Sequence, residues 1–262
     1  MVNDLGGSMQ GEGADAEPAT AVVAEITAAG GVAVADTSDV AATAGAQALV
    51  TRAVEQFGRI DILVNNAGII RWAGMPEVDT DNLERHLAVH VVGSFNTARA
   101  AWPHMVEQDY GRIVMTTSTG MLGLPNNVSY ATAKGGVIGL ARSLATAGAR
   151  RGIKVNLIAP AATTRMSGDP SGAPELSPDD VAAMVAFLAH EDCPVTGETY
   201  VAGAGRFARL FLASTVGYVH PEPAPTIEDV AGNWETINDE RGYYVPADLM
   251  SWSAEFLGHR RP

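Results

Sequence analysis

Cysteine is almost absent: Cys193 stands alone in 262 residues, which excludes an intrachain disulfide and a cysteine-based zinc site. Basic residues are scarce as well. Seventeen Lys and Arg face thirty Asp and Glu, for a formal net charge of −13, and no Lys or Arg precedes Arg52. Nucleic acids and anionic membranes require a basic footprint, so neither is an expected partner. Nothing approaches the roughly 20 apolar residues of a membrane span. The front shows no basic stretch followed by an apolar one, so no signal peptide is expected and a cytoplasmic location is the default. The histidines show no metal-ligand spacing. His86 and His90 lie four apart but lack a third ligand nearby, and the pair reads as a chance helical face with no metal.

What is present is an alternation. Short apolar, β-branched runs (Val32–Ala35, Ile60–Val64, Arg112–Thr116, Lys154–Ile158, Thr199–Val201) alternate with Ala-rich stretches of helical character. These are Ala16–Ala29, Thr43–Phe57, Thr80–Gln108, Val128–Arg150 and Pro178–His190. Nearly continuous apolar strands between helices predict an α/β fold whose parallel sheet is covered on both faces, doubly wound and Rossmann-like. Composition shifts near residue 205. The segment 206–262 holds two of the four Trp, three of the six Tyr and a turn containing Pro221, Pro223 and Pro225. Its aromatic content predicts a C-terminal extension packed on the domain of residues 1–205, not a disordered tail.

Tyr130-Ala-Thr-Ala-Lys134 opens an Ala/Gly-rich helix. A four-residue spacing puts the phenol and the ammonium one turn apart on one face. A nearby cation favours phenolate and would lower the Tyr pKa toward a range useful for proton transfer. The run Arg112–Thr116 ends in Thr117-Ser118, and ligands of doubly wound sheets sit at such carboxyl ends. Asn65-Asn66-Ala67-Gly68 would stop the preceding strand at the same edge, where small residues admit a flat ligand. Cys193 has no flanking Lys or Arg and is expected to be inert.

In order and spacing these motifs resemble the short-chain dehydrogenase/reductase family: Asn-Asn-Ala-Gly, then Ser118, then Tyr130 with Lys134, then Pro160. The resemblance implies Tyr130 as acid/base and Ser118 as the group orienting the substrate oxygen. Lys134 would hold the nicotinamide ribose and depress the Tyr pKa. Asn66, Ala67, Gly68 and Pro160 would line the cofactor, with Asp39-Val40 at the adenine. His90 stands where many members carry an Asn that holds a water of the proton relay; relay and helix packing both remain open for it. Ser118 lies one residue closer to Tyr130 than the usual spacing, so Thr117 remains the rival hydroxyl. Val2 to Gly7, Val89 to Phe95, Ala159 to Met166 and Asn233-Trp234 further resemble the (3R)-hydroxyacyl-CoA dehydrogenase domains of peroxisomal multifunctional enzymes type 2 and their bacterial relatives. That likeness implies NAD-dependent oxidation of a secondary alcohol, with an acyl-CoA substrate and a homodimer or homotetramer formed through the helices Thr80–Gln108 and Val128–Arg150.

The family opens with a strand and Gly-x3-Gly-x-Gly, whose backbone N–H groups and helix dipole hold the pyrophosphate. Gly7-Ser-Met-Gln-Gly11-Glu-Gly13 matches that pattern, but only one strand fits between it and Asn65, where the family has two. Glu12, Asp15 and Glu17 also surround it without a cation. The expected assignment makes Met1–Asp4 the stub of the second strand, with the first strand–helix unit lacking and Asp4 meeting the adenosine ribose, which favours NAD over NADP. Without that unit the sheet is expected to close up or the chain to fold poorly, with negligible dehydrogenase activity; the alternative role is a non-catalytic dimerisation partner. A second glycine string, Gly203-Ala-Gly205-Arg-Phe-Ala208, follows a strand and reads as preceding a helix, but it is not expected to bind a dinucleotide. The loop Ala161–Pro178, short and rich in Gly, Pro and Ser, would set substrate choice.

Overall fold

The computed structural model describes residues 1–164, 166, 176–222 and 224–260. Most of the expected substrate loop Ala161–Pro178, and Pro223 of the expected turn, lie outside them. The chain divides into two compact units, Met1–Arg209 and Leu210–Pro262.

In the first unit, β1 (Val2–Asn3), α1 (Glu17–Ala28), β2 (Ala35–Asp36), α2 (Thr43–Phe57) and β3 (Ile62–Asn65) come first. α3 (Thr80–His86) runs through a π-helical segment, Leu87–Val92, into α4 (Gly93–Glu107). Then follow β4 (Gly111–Thr116), α5 (Val128–Gly148), β5 (Ile153–Pro160), α6 (Pro178–Ala189), β6 (Thr199–Gly203) and β7 (Arg206–Leu210). The single helix expected over Thr80–Gln108 is thus interrupted. A π segment carries one extra residue per turn, and such bulges recur at functional sites; here it holds His90.

The parallel, helix-covered architecture is as expected, but the sheet is not continuous. β1 pairs in parallel with β2, with Val2 opposite Ala35 and Asn3 opposite Asp36. β3, β4, β5, β6 and β7 form a separate sheet in that order. The sheet therefore does not close up, against the first expectation: β1 and β3 stay apart, and Ile62 (49% exposed) and Val64 (44%) remain open to solvent. The reason lies in the anchoring of each sheet. β4 and β5 bury Ile113, Val114, Met115, Val155, Leu157 and Ile158 almost completely, as strands covered on both faces do. α5 lies against them with Ala133, Val137, Ile138, Ala141 and Ala145. Its Gly148 sits so close to β5 that an added Cβ would lie 2.7 Å from the Ile153 carbonyl oxygen. α2 turns Ala46, Leu49, Val50 and Ala53 inward, the i, i+3, i+4, i+7 spacing of an amphipathic helix.

Arg112 fastens the edge of this sheet remote from the motif residues. Its buried guanidinium donates to the carbonyls of Gly111, Gly152, His190 and Glu191, tying β4 to the turns before β5 and after α6. Cys193 is fully buried beside Asn156. Lys154 reaches it through space, its Nζ donating to the Cys193 carbonyl.

The string Gly203–Ala208 is followed by a strand, not the helix expected from sequence. Ala204 (φ 51°) and Gly205 (φ 68°) both take positive φ, as a two-residue type I′ hairpin requires. A hairpin has no helix N-terminus to offer a phosphate. In the second unit an antiparallel bridge pairs Ser214 with Tyr244, with α7 (Ile227–Gly232) and α8 (Trp234–Ile237) between them in the chain and α9 (Leu249–Phe256) after them. Capping boxes at Thr226/Asp229 and Asp248/Ser251 start α7 and α9. Among the described residues no helix is long and apolar enough to cross a membrane.

Candidate active site

Tyr130 owes its position to a cap. Asn127 accepts the Tyr130 N–H on its side chain (3.1 Å) and starts α5, which fixes the phenol in the first turn. One turn on, Lys134 is 3% exposed, and its Nζ donates to the Thr116 carbonyl at the end of β4 (2.8 Å). The ammonium lies 5.6 Å from the centre of the Tyr130 ring. Ser118, just past β4, is hydrogen-bonded to the Tyr130 side chain, and its Oγ also accepts the Gly120 N–H. Thr117 points elsewhere: it is buried and donates to the Lys134 carbonyl (2.7 Å). Of the two rival hydroxyls, the one beside the phenol is Ser118.

Electrostatics correct one expectation. Burial pushes the Tyr130 phenol above its ordinary value, only partly opposed by the Ser118 hydrogen bond. Burial also pulls Lys134 down to about 7. Burial governs both groups, and the one contribution that lowers the phenol comes from Ser118, not from Lys134. Tyr130 stands as a neutral proton donor.

His90 and His86 are not a chance helical face. Both are buried, 1% and 0% exposed. They stack with ring centres 6.0 Å apart, and each presents Tyr130 with an edge-on contact, at 5.5 Å and 6.1 Å. The His90 Nε2 lies 2.9 Å from the Ile69 carbonyl oxygen. The Ile69 N–H lies 3.4 Å from the same nitrogen, and the ring tautomer decides which of the two groups it bonds; Nδ1 is left buried without a hydrogen-bond partner. Burial, then the charge of Lys134, holds His90 well below the ordinary imidazole value against the opposing Ile69 hydrogen bond. Burial lowers His86 too, and its ring bridges the Asn82 carbonyl and the Arg71 N–H. The only sequence signal for His86 was its spacing of four from His90. Among the described residues no cluster of His, Cys, Asp or Glu is arranged to hold a metal.

The residues expected at a cofactor form a second group. Asp4, Asp39, Val40, Asn66, Ala67 and Gly68 line one cavity of about 770 Å3. Pro160 ends β5 opposite Ala202 at the carboxyl edge. Asn66 joins the two groups, since its side-chain oxygen accepts the Thr116 hydroxyl (3.1 Å) beside the Lys134 anchor. Gly68 is dictated by His90: an added Cβ would meet the imidazole Cε1 at 2.7 Å.

These residues fit a nicotinamide dinucleotide in part. Carboxylates and small residues suited to ribose and base line the cavity, and Asn66 leads to the phenol. Among the described residues the pyrophosphate has no comparable cradle. In the run Gly7–Gly13 and just before it, the N–H groups of Gly6, Ser8, Gln10, Gly11 and Glu12 already donate to Asp4, Ser8 or Glu12. The loop is not without a cation, as sequence implied, for Arg71 donates to the Gln10 carbonyl and pairs with Glu12 at 3.5 Å.

A profile described as short chain dehydrogenase matches residues 7–171. The chain belongs to the short-chain dehydrogenase family. It is 41% identical to a short-chain type dehydrogenase/reductase of Mycobacterium tuberculosis over 92% of this chain and 86% of that protein. Its fold matches full-length peroxisomal multifunctional enzyme type 2 from Drosophila melanogaster, with a TM-score of 0.78 and 34% identity, over 92% of this chain and 43% of that one. It also matches a gluconate 5-dehydrogenase from Burkholderia cenocepacia in complex with NADP and tartrate. That likeness has a TM-score of 0.67 and 28% identity over 78% of this chain and 83% of the other. This dehydrogenase is thus an α/β oxidoreductase by family and by fold.

Proposed function

We propose that this dehydrogenase interconverts a secondary alcohol and a ketone on a (3R)-hydroxyacyl-CoA or similar thioester, with NAD as partner in the exchange. The observation that carries the reading is the Ser118–Tyr130–Lys134 cluster at the end of β4.

In the reducing direction the neutral Tyr130 phenol gives its proton to the ketone oxygen, which the Ser118 hydroxyl holds by a hydrogen bond. In the oxidising direction the phenolate takes the alcohol proton back. Lys134 positions the phenol's helix turn against β4 and would hold the nicotinamide ribose, and the neutral His90 supports Tyr130 edge-on. When bound, the nicotinamide supplies the hydride acceptor and donor. Asp4 and Asp39 favour NAD, since carboxylates repel a 2′-phosphate. The Burkholderia relative holds NADP, so both cofactors belong in the assay. Exposed Val92 and Phe95 on the π segment and α4 are consistent with a homodimer or homotetramer through this face, and a cytoplasmic setting is part of the same reading.

NADH formation from a (3R)-hydroxyacyl-CoA tests the proposal, with millimolar NAD to offset the weak pyrophosphate contacts. Each hydrogen bond to a charged group is worth about 1.5–3 kcal/mol, so losing several lowers affinity by orders of magnitude. A slow turnover that disappears in Tyr130→Phe is expected; the same rate in both proteins would overturn the reading. The engaged glycine-run amides favour one alternative, a non-catalytic subunit that assembles with a homologue. It predicts no Tyr130-dependent turnover at any cofactor concentration.

A further inference from the structure

Tyr130 meets two imidazoles, and the proposed reaction gives a task to only one of them. His86 ends α3 and is fully buried. Its ring lies 6.1 Å from that of Tyr130, at 83° to it, and 6.0 Å from that of His90, at 13°. His90 meets the phenol at 5.5 Å and 88°. The three rings form a closed triangle, with the imidazoles in nearly one orientation and the phenol across both.

Both His86 nitrogens are engaged, and by partners of opposite kind. Nδ1 lies 2.7 Å from the Asn82 carbonyl oxygen, which only accepts, and Nε2 accepts the Arg71 N–H at 3.2 Å. Together they fix one tautomer, with the hydrogen on Nδ1, and one ring plane. A second proton would have to sit on Nε2, against the Arg71 N–H, so the geometry keeps the ring neutral. Burial first, and then the charges of Arg71 after β3 and Lys134 on α5, oppose that proton against the Asn82 hydrogen bond.

The two partners belong to different parts of the chain. Asn82 lies one turn back on α3, and its side chain also donates to the Arg71 carbonyl (3.3 Å). Arg71 is held in turn by the loop that lines the cavity with Ser8, Met9 and Gly11. Its side chain donates there to the Gln10 carbonyl, and the Ile70 N–H to the Met9 carbonyl. Filling space alone does not call for such a ring. An apolar side chain fills a buried site without desolvating two nitrogens, but nothing then sets its orientation.

We infer that His86 is a positioning residue for Tyr130. Its pinned imidazole sets the plane on which His90 and the phenol align, and so aims the phenol oxygen at the place beside Ser118 proposed for the substrate oxygen. The inference rests on the dehydrogenase reading, in which the aim of the phenol decides the rate. A misplacement of about 1 Å at a reacting group costs roughly 10²-fold, so His86 has leverage without touching substrate.

The test compares His86→Phe, which keeps a ring but drops both hydrogen bonds, with His86→Leu, which drops the ring too. The six tyrosines, labelled with carbon-13 at Cζ, are read by NMR in the cofactor-free protein, and the Tyr130 signal is assigned by its loss in Tyr130→Phe. That signal is expected to move or split in both variants while the other tyrosines stay in place. In steady state kcat should fall about 10-fold in His86→Leu and about 3-fold in His86→Phe, with KM within about twofold. His86→Leu carries the greater risk to folding, so His86→Phe decides: an unmoved Tyr130 signal there overturns the inference. So does movement of every tyrosine signal in that variant, the mark of general loosening, or a raised KM with kcat kept. Should Tyr130→Phe turn over as fast as the parent, the dehydrogenase reading falls on its own, and the tyrosine spectrum still decides whether His86 holds the phenol.

Discussion

The two sheets of the first unit are made of the same kind of strand but are held differently. β4 and β5 lie between neighbours on both edges and helices on both faces, and every side chain from Gly111 to Met115 is buried. β1 and β2 have two residues each, one shared edge and only Asp36 buried. The side chains proposed for proton transfer stand at the end of the first sheet, and Asp4, Asp39 and Val40, three of the six residues proposed for the cofactor that line the cavity, follow the strands of the second. On the proposed reading, chemistry and cofactor binding rest on parts of very different firmness, and a change in one need not be felt in the other.

The largest expected effect is chemical. Tyr130→Phe should lower kcat by about 10²- to 10⁴-fold while leaving the thermal unfolding midpoint nearly unchanged, as steady-state rates and calorimetry would show. Equal rates would break the assignment of the chemistry to the firm sheet. Next comes a core truncation. Leu157→Ala on β5 should cost about 2–5 kcal/mol in urea unfolding, whereas Val2→Ala on β1 should stay near the ~1 kcal/mol of ordinary substitutions. Similar costs would show that both sheets share one cooperative core.

Lys134 sharpens the comparison through pH. Its pKa falls from 10.5 unfolded to about 7 folded, so between those values the unfolded chain binds more protons and stability rises with pH. The destabilisation is complete below about pH 7 and absent above 10.5. Lys134→Met removes this dependence, so melting curves should favour the variant most at pH 7 and progressively less toward pH 10. A constant offset would mean that the ammonium is solvated. The smallest effect belongs to Thr117→Val, which loses one helix-anchoring hydrogen bond, about 1 kcal/mol, with kcat unchanged. A kcat loss like that of Ser118→Ala would transfer the orienting role to Thr117.

Where periodicity and burial agree, the sequence was legible. α2 was placed at its observed ends as an Ala-rich helical stretch, and its apolar spacing and the left-handed Gly58 after it agree with that boundary. The motifs Asn66, Ser118, Tyr130 and Lys134 were found because fixed chemistry fixes spacing. The break in Thr80–Gln108 left no mark, since a π segment has no composition of its own, and so the burial of both histidines under Tyr130 was hidden. The direction of the Tyr130 shift was missed for a related reason. One-turn spacing shows that Lys134 is near but not that the phenol is buried deeply enough for desolvation to dominate. The hairpin at Ala204 was hidden too, because a non-Gly residue with positive φ is not announced by its type.

Arg112 bears on behaviour in acid. Every partner of its guanidinium is a backbone carbonyl, which does not titrate. The clasp between β4 and the turns beside it therefore has nothing that acid can switch off. β2 is fastened by a carboxylate instead. Burial raises Asp36, but hydrogen bonds from Ser38 and Asn3 and the charge of Arg52 outweigh it, so its pKa is lowered. That contribution is full above the unfolded value of 3.8 and is lost as pH falls through the folded one. A protein built this way has an acid-labile flap joined to an acid-tolerant block. Amide exchange along a falling pH series should see Asp4 and Asp36 released before any residue of β4 or β5.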